Sequence, residues 1–412
     1  MDDRPETGFK HLGCLFRSAH MKKIGLYLGS EPSNGGTFQY GQTILDAVAI
    51  LPKNEFNVVV CYSSACWKKC LAGLDITSFH QPLQTWEIGS ALWWRRLGLP
   101  TGLWRKIIVP FHPFSQSIIH LKCDIWIFPA QDIWSYRIPV TALTTVFDLM
   151  HRYEKRFSEV STYGRYIRRE AHYKDICKWS KGILTDSDVG KQQLIESYDA
   201  DADCVYPLPT IPPKYIYSDK IPDHFDSRLS LPEKFIFYPA QFWSHKNHDS
   251  LIRAMASLKQ SLPDLQCVFV GSKKNGYNHA FKLTCDLGLK DCVHFLGYVS
   301  EEDITEIYRR ARALVMPTFF GPTNIPPLEA FVLGCPVAVS EIYGMSEQVG
   351  DAVLLFDPNS VKEIADAVYQ LWTDDHLCRQ LSEKGLERVK IWGPAQFAKK
   401  LELILRKVLA AA

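Results

Sequence analysis

The chain has 412 residues, 46% of them apolar and 22% charged, which excludes a disordered or fibrous protein. That length exceeds what one hydrophobic core usually serves, so two domains of roughly 200 residues each are expected. A formal net charge of +2 argues against nucleic acid as a partner.

Residues 1–20 lack the apolar middle of a signal peptide and are read as an N-terminal extension. A first domain is expected over 21–208. It opens with "KKIGLYLG" (22–29), a continuous apolar run suited to a strand covered on both faces of a parallel sheet. The glycine loop "SEPSNGGT" leads into a helix over 38–50, and "FNVVVCY" (56–62) is the next strand. Further strands are predicted at 123–130, 140–149, 182–187 and 204–209, with a helix over 163–179. Residues 209–234 hold five prolines and no periodicity, the signature of a linker.

A second domain is expected over 235–392, with strands at 235–240, 265–271, 292–299, 313–318, 336–340 and 352–356. The last segment, 393–412, is predicted to be a helix returning to the first domain. Strands alternating with helices imply α/β architecture, here two doubly wound Rossmann-like domains facing each other across a cleft. Ligands of such sheets bind beyond the carboxyl ends of the strands.

Twelve cysteines without paired spacing read as reduced thiols, and Cys66 and Cys70 have no second pair to complete a zinc site. No apolar run reaches the roughly 18 residues of a membrane helix. A cytoplasmic protein is therefore expected.

The stretch "FFGPTNIPPLEA" (319–330) concentrates the chemistry. Prolines 326 and 327 fit only in the first turn of a helix, where a missing N–H is harmless. The amides of Thr323, Asn324 and Ile325 then lie at the positive end of the helix dipole and form a seat for an anion. Glu329 follows one turn on, with a carboxylate able to accept ribose hydroxyls. A capped structural helix is the other reading of these residues. "PAQFWSHKNHDSLIRAM" (239–255) repeats the strand, loop and helix design, and sets Lys246 at the helix entrance as a point charge for phosphate.

Together, "YPAQFWSHKNH", "VHFLGYVSEEDITEIYRRARALVMPT" and "FFGPTNIPPLEAFVLGCPVAVS" resemble the donor domain of retaining, nucleotide-sugar-dependent glycosyltransferases of the GT-B fold, glycosyltransferase family four. The first half resembles it through "MKKIGLYLGS", "NGG" and "TTVFDLMHRYEKRF". The resemblance implies that Thr323, Asn324 and Ile325 give main-chain donors to the donor phosphate and sugar, and that Glu329 binds the ribose. It sets Val299 near the base, and Gly36, after Gly35, close to the phosphates.

Three positions depart from the family pattern. Gly321 stands where a first glutamate is usual, Gln241 replaces the arginine that partners Lys246, and Phe147 replaces a histidine before Asp148. His245 or a basic residue of the first domain is a candidate replacement cation, and His151 a candidate cleft residue.

The resemblance further implies a metal-independent hexosyltransferase without a protein nucleophile, with Lys246 stabilising the leaving diphosphate and Asp148 orienting sugar or acceptor. The expected partners are a nucleoside diphosphate sugar, with GDP-mannose favoured, and a saccharide or lipid-linked acceptor. A catalytically silent sugar-nucleotide-binding protein is the alternative. A nicotinamide-dependent dehydrogenase is disfavoured because no G-x-G-x-x-G follows the first strand. "DADAD" (199–203) reads as an acidic turn rather than a metal site.

Residues 89–123 contain no acidic side chain and combine Trp93, Trp94 and Trp104 with Arg95, Arg96, Arg105 and Lys106. Such a segment suits either peripheral contact with the inner face of a membrane or core packing with cationic rims.

Overall fold

The computed structural model describes residues 21–219, 221, 223 and 225–411, so the N-terminal extension lies outside the described residues. Two parallel sheets form the two lobes. The first contains Lys22–Leu28 (β1), Phe56–Tyr62 (β2), Thr77–His80 (β3), Ile125–Phe128 (β4), Ala142–Thr145 (β5), Gly182–Thr185 (β6) and Val205–Pro207 (β7), in the order β3-β2-β1-β4-β5-β6-β7. The second contains Ile236–Pro239 (β8), Cys267–Val270 (β9), Val293–Gly297 (β10), Ala313–Met316 (β11), Val337–Ser340 (β12) and Leu354–Phe356 (β13), in the order β10-β9-β8-β11-β12-β13.

The central strands are buried along their length, as β4, β5, β8, β9 and β11 show. Their apolar runs reflect helices on both sheet faces, and this makes them legible in sequence. The edge strand β3 was not predicted: its residues Thr-Ser-Phe-His are all exposed, so no apolar run marks it. Only pairing with β2 defines it.

The helix Pro394–Ala410 packs in the first lobe, where Phe397, Leu401 and Leu405 join Ile24, Leu26 and Ile44 in one core. The proline-rich stretch read as a linker is partly anchored, because Ile216 and Phe225 sit in the second lobe's core.

Between the lobes, Met150, Phe157 and Val160 pack against Phe320. Tyr343 Oη donates to Glu154 Oε1 at 3.0 Å, and the Asp188 amide donates to Glu347 Oε1 at 3.2 Å. Both sheets direct loops from their carboxyl ends into the intervening cleft. Residues 89–123 are split by the fold. Trp94 and Trp104 are buried and touch edge to face, and Arg105 lies 4.1 Å over Trp179, so these three belong to packing.

Candidate active site between the lobes

A cavity of about 930 Å³ separates the lobes. Its first-lobe wall includes Gly35, Gly36, Asp148, Glu159, Arg169 and Asp186. Its second-lobe wall includes Gln241, Lys246, Thr323, Asn324, Ile325 and Glu329.

Two helix starts meet across this space. Gly36 begins the helix Gly36–Ala49, and Ile325 begins the helix Ile325–Val332. A Cβ added at Gly36 would lie 3.2 Å from Ile325 Cδ1, so the two helix starts approach to side-chain contact. The partial positive ends of both helices converge on the gap. Pro326 and Pro327 occupy the first turn of the second helix, the position at which they cost no hydrogen bond.

The three predicted amides are not equivalent. The Asn324 amide donates to Gln348 Oε1 at 2.9 Å, while Gln348 Nε2 returns a bond to Asn324 O at 2.8 Å. Asn324 is thus a pinned part of the loop. The amides of Thr323 and Ile325 have no hydrogen-bond partner among the described residues. Thr323 Oγ1 donates to Asp186 Oδ2 at 2.6 Å, tying the loop to the first lobe. Burial raises the Asp186 carboxyl to about 6, against the lowering effect of this bond and one from Ser187.

Lys246 Nζ donates to Asn324 Oδ1 at 3.1 Å. Burial lowers the Lys246 ammonium to about 8, although Asp148 pulls it upward. A buried cation short of negative charge is poised to take an anion.

Glu329 is buried, and its two oxygens accept the hydroxyls of Tyr215 and Tyr308, the latter at 2.7 Å. Burial raises its pKa, with both tyrosine bonds opposing. Gln39 Nε2 donates to Tyr215 Oη at 3.2 Å, so a bonded chain runs from the first lobe through the proline-rich stretch to Glu329. The carboxylate predicted to take ribose hydroxyls is therefore already engaged by tyrosine hydroxyls.

Asp148 Oδ1 accepts from Arg169 Nη2 at 2.5 Å and from the Met150 amide at 2.9 Å. Gln241 lines the cavity and accepts Trp243 Nε1 at 3.0 Å.

Three expectations are corrected. His151 is fully buried away from the cleft, with Nε2 2.9 Å from both Tyr198 Oη and Glu170 Oε1 and its ring stacked on Tyr173. Burial, then the neighbouring Arg169, brings His151 down to about 4, so it stands neutral as a packing residue. Val299 packs against the second lobe's core and is not among the described residues lining the cavity, because β10 ends two residues earlier and Ile304 reaches the site instead. His245 does not stand free as a replacement cation: its Nδ1 lies 2.8 Å from Glu159 Oε1. Burial acts to raise Glu159, but hydrogen bonds led by the His245 ring outweigh it and bring the carboxyl down to about 2. The first-lobe cations in the cavity are Arg165 and Arg169.

Gly321 has φ +135, and a Cβ there would fall 2.5 Å from Asn324 Nδ2. The loop geometry around Asn324 thus excludes a glutamate at this position without rearrangement.

Asp186, Tyr215, Tyr308 and Arg169 were missed in the sequence. Only Asp186 carried a signal, since it lies at the carboxyl end of the parallel strand predicted over 182–187.

The two facing α/β lobes and their cleft define the GT-B fold. Residues 219–388 match the family described as glycosyl transferases group 1. The chain is 26% identical over 295 residues to the O-antigen chain mannosyltransferase B of Escherichia coli, covering 67% of this chain and 75% of the relative. It is 27% identical over 226 residues to a D-inositol 3-phosphate glycosyltransferase of Corynebacterium aurimucosum, covering 52% of this chain and about half of the relative, 53%. Anabaena HepE, solved in complex with UDP and glucose, superposes with a TM-score of 0.71 at 16% identity, over 94% of this chain and 100% of that one. The chain has the GT-B fold, and the match to the group 1 glycosyl transferases falls on its second lobe and the end of the proline-rich stretch before it.

Proposed function

We propose that the chain moves a hexosyl residue from a nucleoside diphosphate sugar to a saccharide or lipid-linked saccharide, with retention of configuration, in polysaccharide or cell-surface glycan synthesis. The observation that carries this reading is the convergence of two helix starts and Lys246 on one gap between the lobes. That arrangement suits a diphosphate, which gains negative charge as it departs.

In the proposed reaction the bond from the anomeric carbon to the β-phosphate oxygen breaks, and a bond to the acceptor oxygen forms on the same face. The acceptor proton passes to the departing phosphate, so no protein nucleophile is required. The Thr323 and Ile325 amides and Lys246 stabilise the leaving group without a metal. Asp148, held by Arg169, orients hydroxyls of the sugar or acceptor.

Mannose from GDP-mannose is the first donor to test, supported by the mannosyltransferase among the relatives. The UDP bound to Anabaena HepE makes uridine the competing base. A thermal-shift panel of nucleoside diphosphates and their sugars tests the donor, with guanosine compounds expected to stabilise most. Stabilisation by uridine compounds alone overturns the GDP assignment, and stabilisation by none overturns the donor site. Turnover unchanged by a chelator is expected, and its loss removes the metal-free mechanism.

The engaged Glu329 and the glycine at position 321 favour a second reading, a silent sugar-nucleotide-binding protein. Binding without hydrolysis of the sugar nucleotide or transfer to any acceptor selects it.

A further inference from the structure

Among the described residues no helix is long and apolar enough to cross a membrane. One face of the first lobe is nevertheless unusually apolar for a solvent boundary. The helix Thr85–Arg96 turns Glu87, Ala91 and Trp94 inward, and the helix Thr101–Ile107 turns Thr101 and Trp104 inward. Their outward positions carry Trp86, Leu92, Trp93, Leu103 and Ile107, with Trp93 64% exposed, and the following turn presents Phe111 at 82%. Large exposed apolar patches mark interaction sites.

The charge on this face has one sign. Arg96 and Lys106 are exposed, Arg95 is half-buried, and residues 89–123 contain no acid. The one acidic group of the first helix, Glu87, is buried and accepts the amides of Gln84 and Phe114.

We propose that the outer faces of helices Thr85–Arg96 and Thr101–Ile107, with Phe111, form a docking surface for an anionic lipid bilayer. Tryptophan and phenylalanine enter the headgroup boundary while arginine and lysine meet lipid phosphates, the combination an interfacial surface requires. A second copy of the chain is the poorer occupant. Two-fold self-pairing would bring this cationic face against itself, with no acid from residues 89–123 to neutralise it.

The position of the surface gives it a use. The helix Thr85–Arg96 begins five residues after β3, at the sheet edge from which the loops after β1, β4 and β5 enter the cleft. β3 lies two strands from β1, about 10 Å across the sheet. A chain docked this way holds the cleft near the bilayer, within reach of an acceptor head group attached to lipid.

Flotation of the full chain on vesicles of phosphatidylcholine, with and without roughly one third phosphatidylglycerol, tests the surface. Binding to the anionic vesicles is expected, weakened by high salt. Arg96→Glu with Lys106→Glu should lower it at least about tenfold, as should Trp93→Ser with Phe111→Ser. Circular dichroism and nucleotide-dependent thermal shift, unchanged in both variants, confirm that the fold and cleft persist. Absence of flotation on either vesicle overturns the proposal, as does flotation equal in wild type and variants. A concentration-dependent dimer abolished by the Trp93 and Phe111 changes assigns the face to a second copy instead. These outcomes are independent of the donor, because transfer to a soluble acceptor reads the cleft alone.

Discussion

The two walls of the cleft are made of different materials. The second-lobe wall offers main-chain amides at a proline-stiffened helix start, a loop pinned by the Asn324–Gln348 pair, and the buried ammonium of Lys246. The first-lobe wall offers charged side chains held by one another, as Asp148 is by Arg169, opposite a backbone stripped of side chains at Gly35 and Gly36. A pinned backbone recognises a group that is the same in every substrate molecule, such as a diphosphate. Side-chain pairs can be re-paired with little backbone change, which suits a more variable acceptor.

This contrast can be broken by experiment. The largest effect is expected for Lys246→Met, which removes the buried ammonium of the second wall and should lower kcat/KM by about a hundredfold or more. A fall of less than about threefold would show that first-lobe arginines carry the diphosphate.

Asp148→Ala should lower kcat by about tenfold with nucleotide affinity nearly unchanged, since the first wall is assigned to sugar and acceptor. Asp148 also favours the charged form of Lys246, so the variant's pH profile should move to lower pH. An equal loss in affinity and kcat would merge the two walls into one site.

Above neutral pH the dependence is assigned to Lys246, because the Asp186 carboxyl, raised to about 6, has already lost its proton there. The Lys246 ammonium is held near 8, below the ordinary lysine value, so it is charged at pH 7 and loses its proton as pH rises through 8. If the bound diphosphate keeps it protonated, donor affinity measured by calorimetry should weaken about tenfold between roughly pH 7 and pH 9. Lys246→Met should flatten that dependence.

The smallest effect is a gain. Tyr215→Phe removes one hydroxyl from Glu329 and frees a carboxylate oxygen for a ribose. Nucleotide affinity should rise about fivefold, the equivalent of ~1 kcal/mol for one hydrogen bond. A loss of affinity would mean that Tyr215 belongs to the nucleotide site rather than competing for it.

Much of the fold was readable from local pattern. A parallel strand covered on both faces must be apolar throughout, so twelve of the thirteen strands among the described residues were predicted, and β3, on the exposed edge, was not. The donor loop was readable for a related reason: paired prolines tolerate only a helix start, and a helix start presents its amides. Val299 and His151 were misjudged because closeness in sequence to a strand end does not specify which way a side chain turns. His151 lies in the first helical turn after β5 and points into the stack with Tyr173, while Asp148, three residues earlier, faces the cavity.

The sequence by itself determined the two-lobe α/β organisation, the helix start at Ile325 and the place of Lys246 at the entrance of its own helix, because each follows from neighbours within a few residues. Only the tertiary structure decided that Tyr215 and Tyr308 occupy Glu329, that Asp186 holds Thr323, and that Glu159 claims His245. These bonds join residues 21 to 137 positions apart, and what pairs them is tertiary packing, lobe on lobe for Asp186–Thr323 and Glu159–His245 and onto or within the second lobe for the two tyrosines, to which local periodicity carries no information.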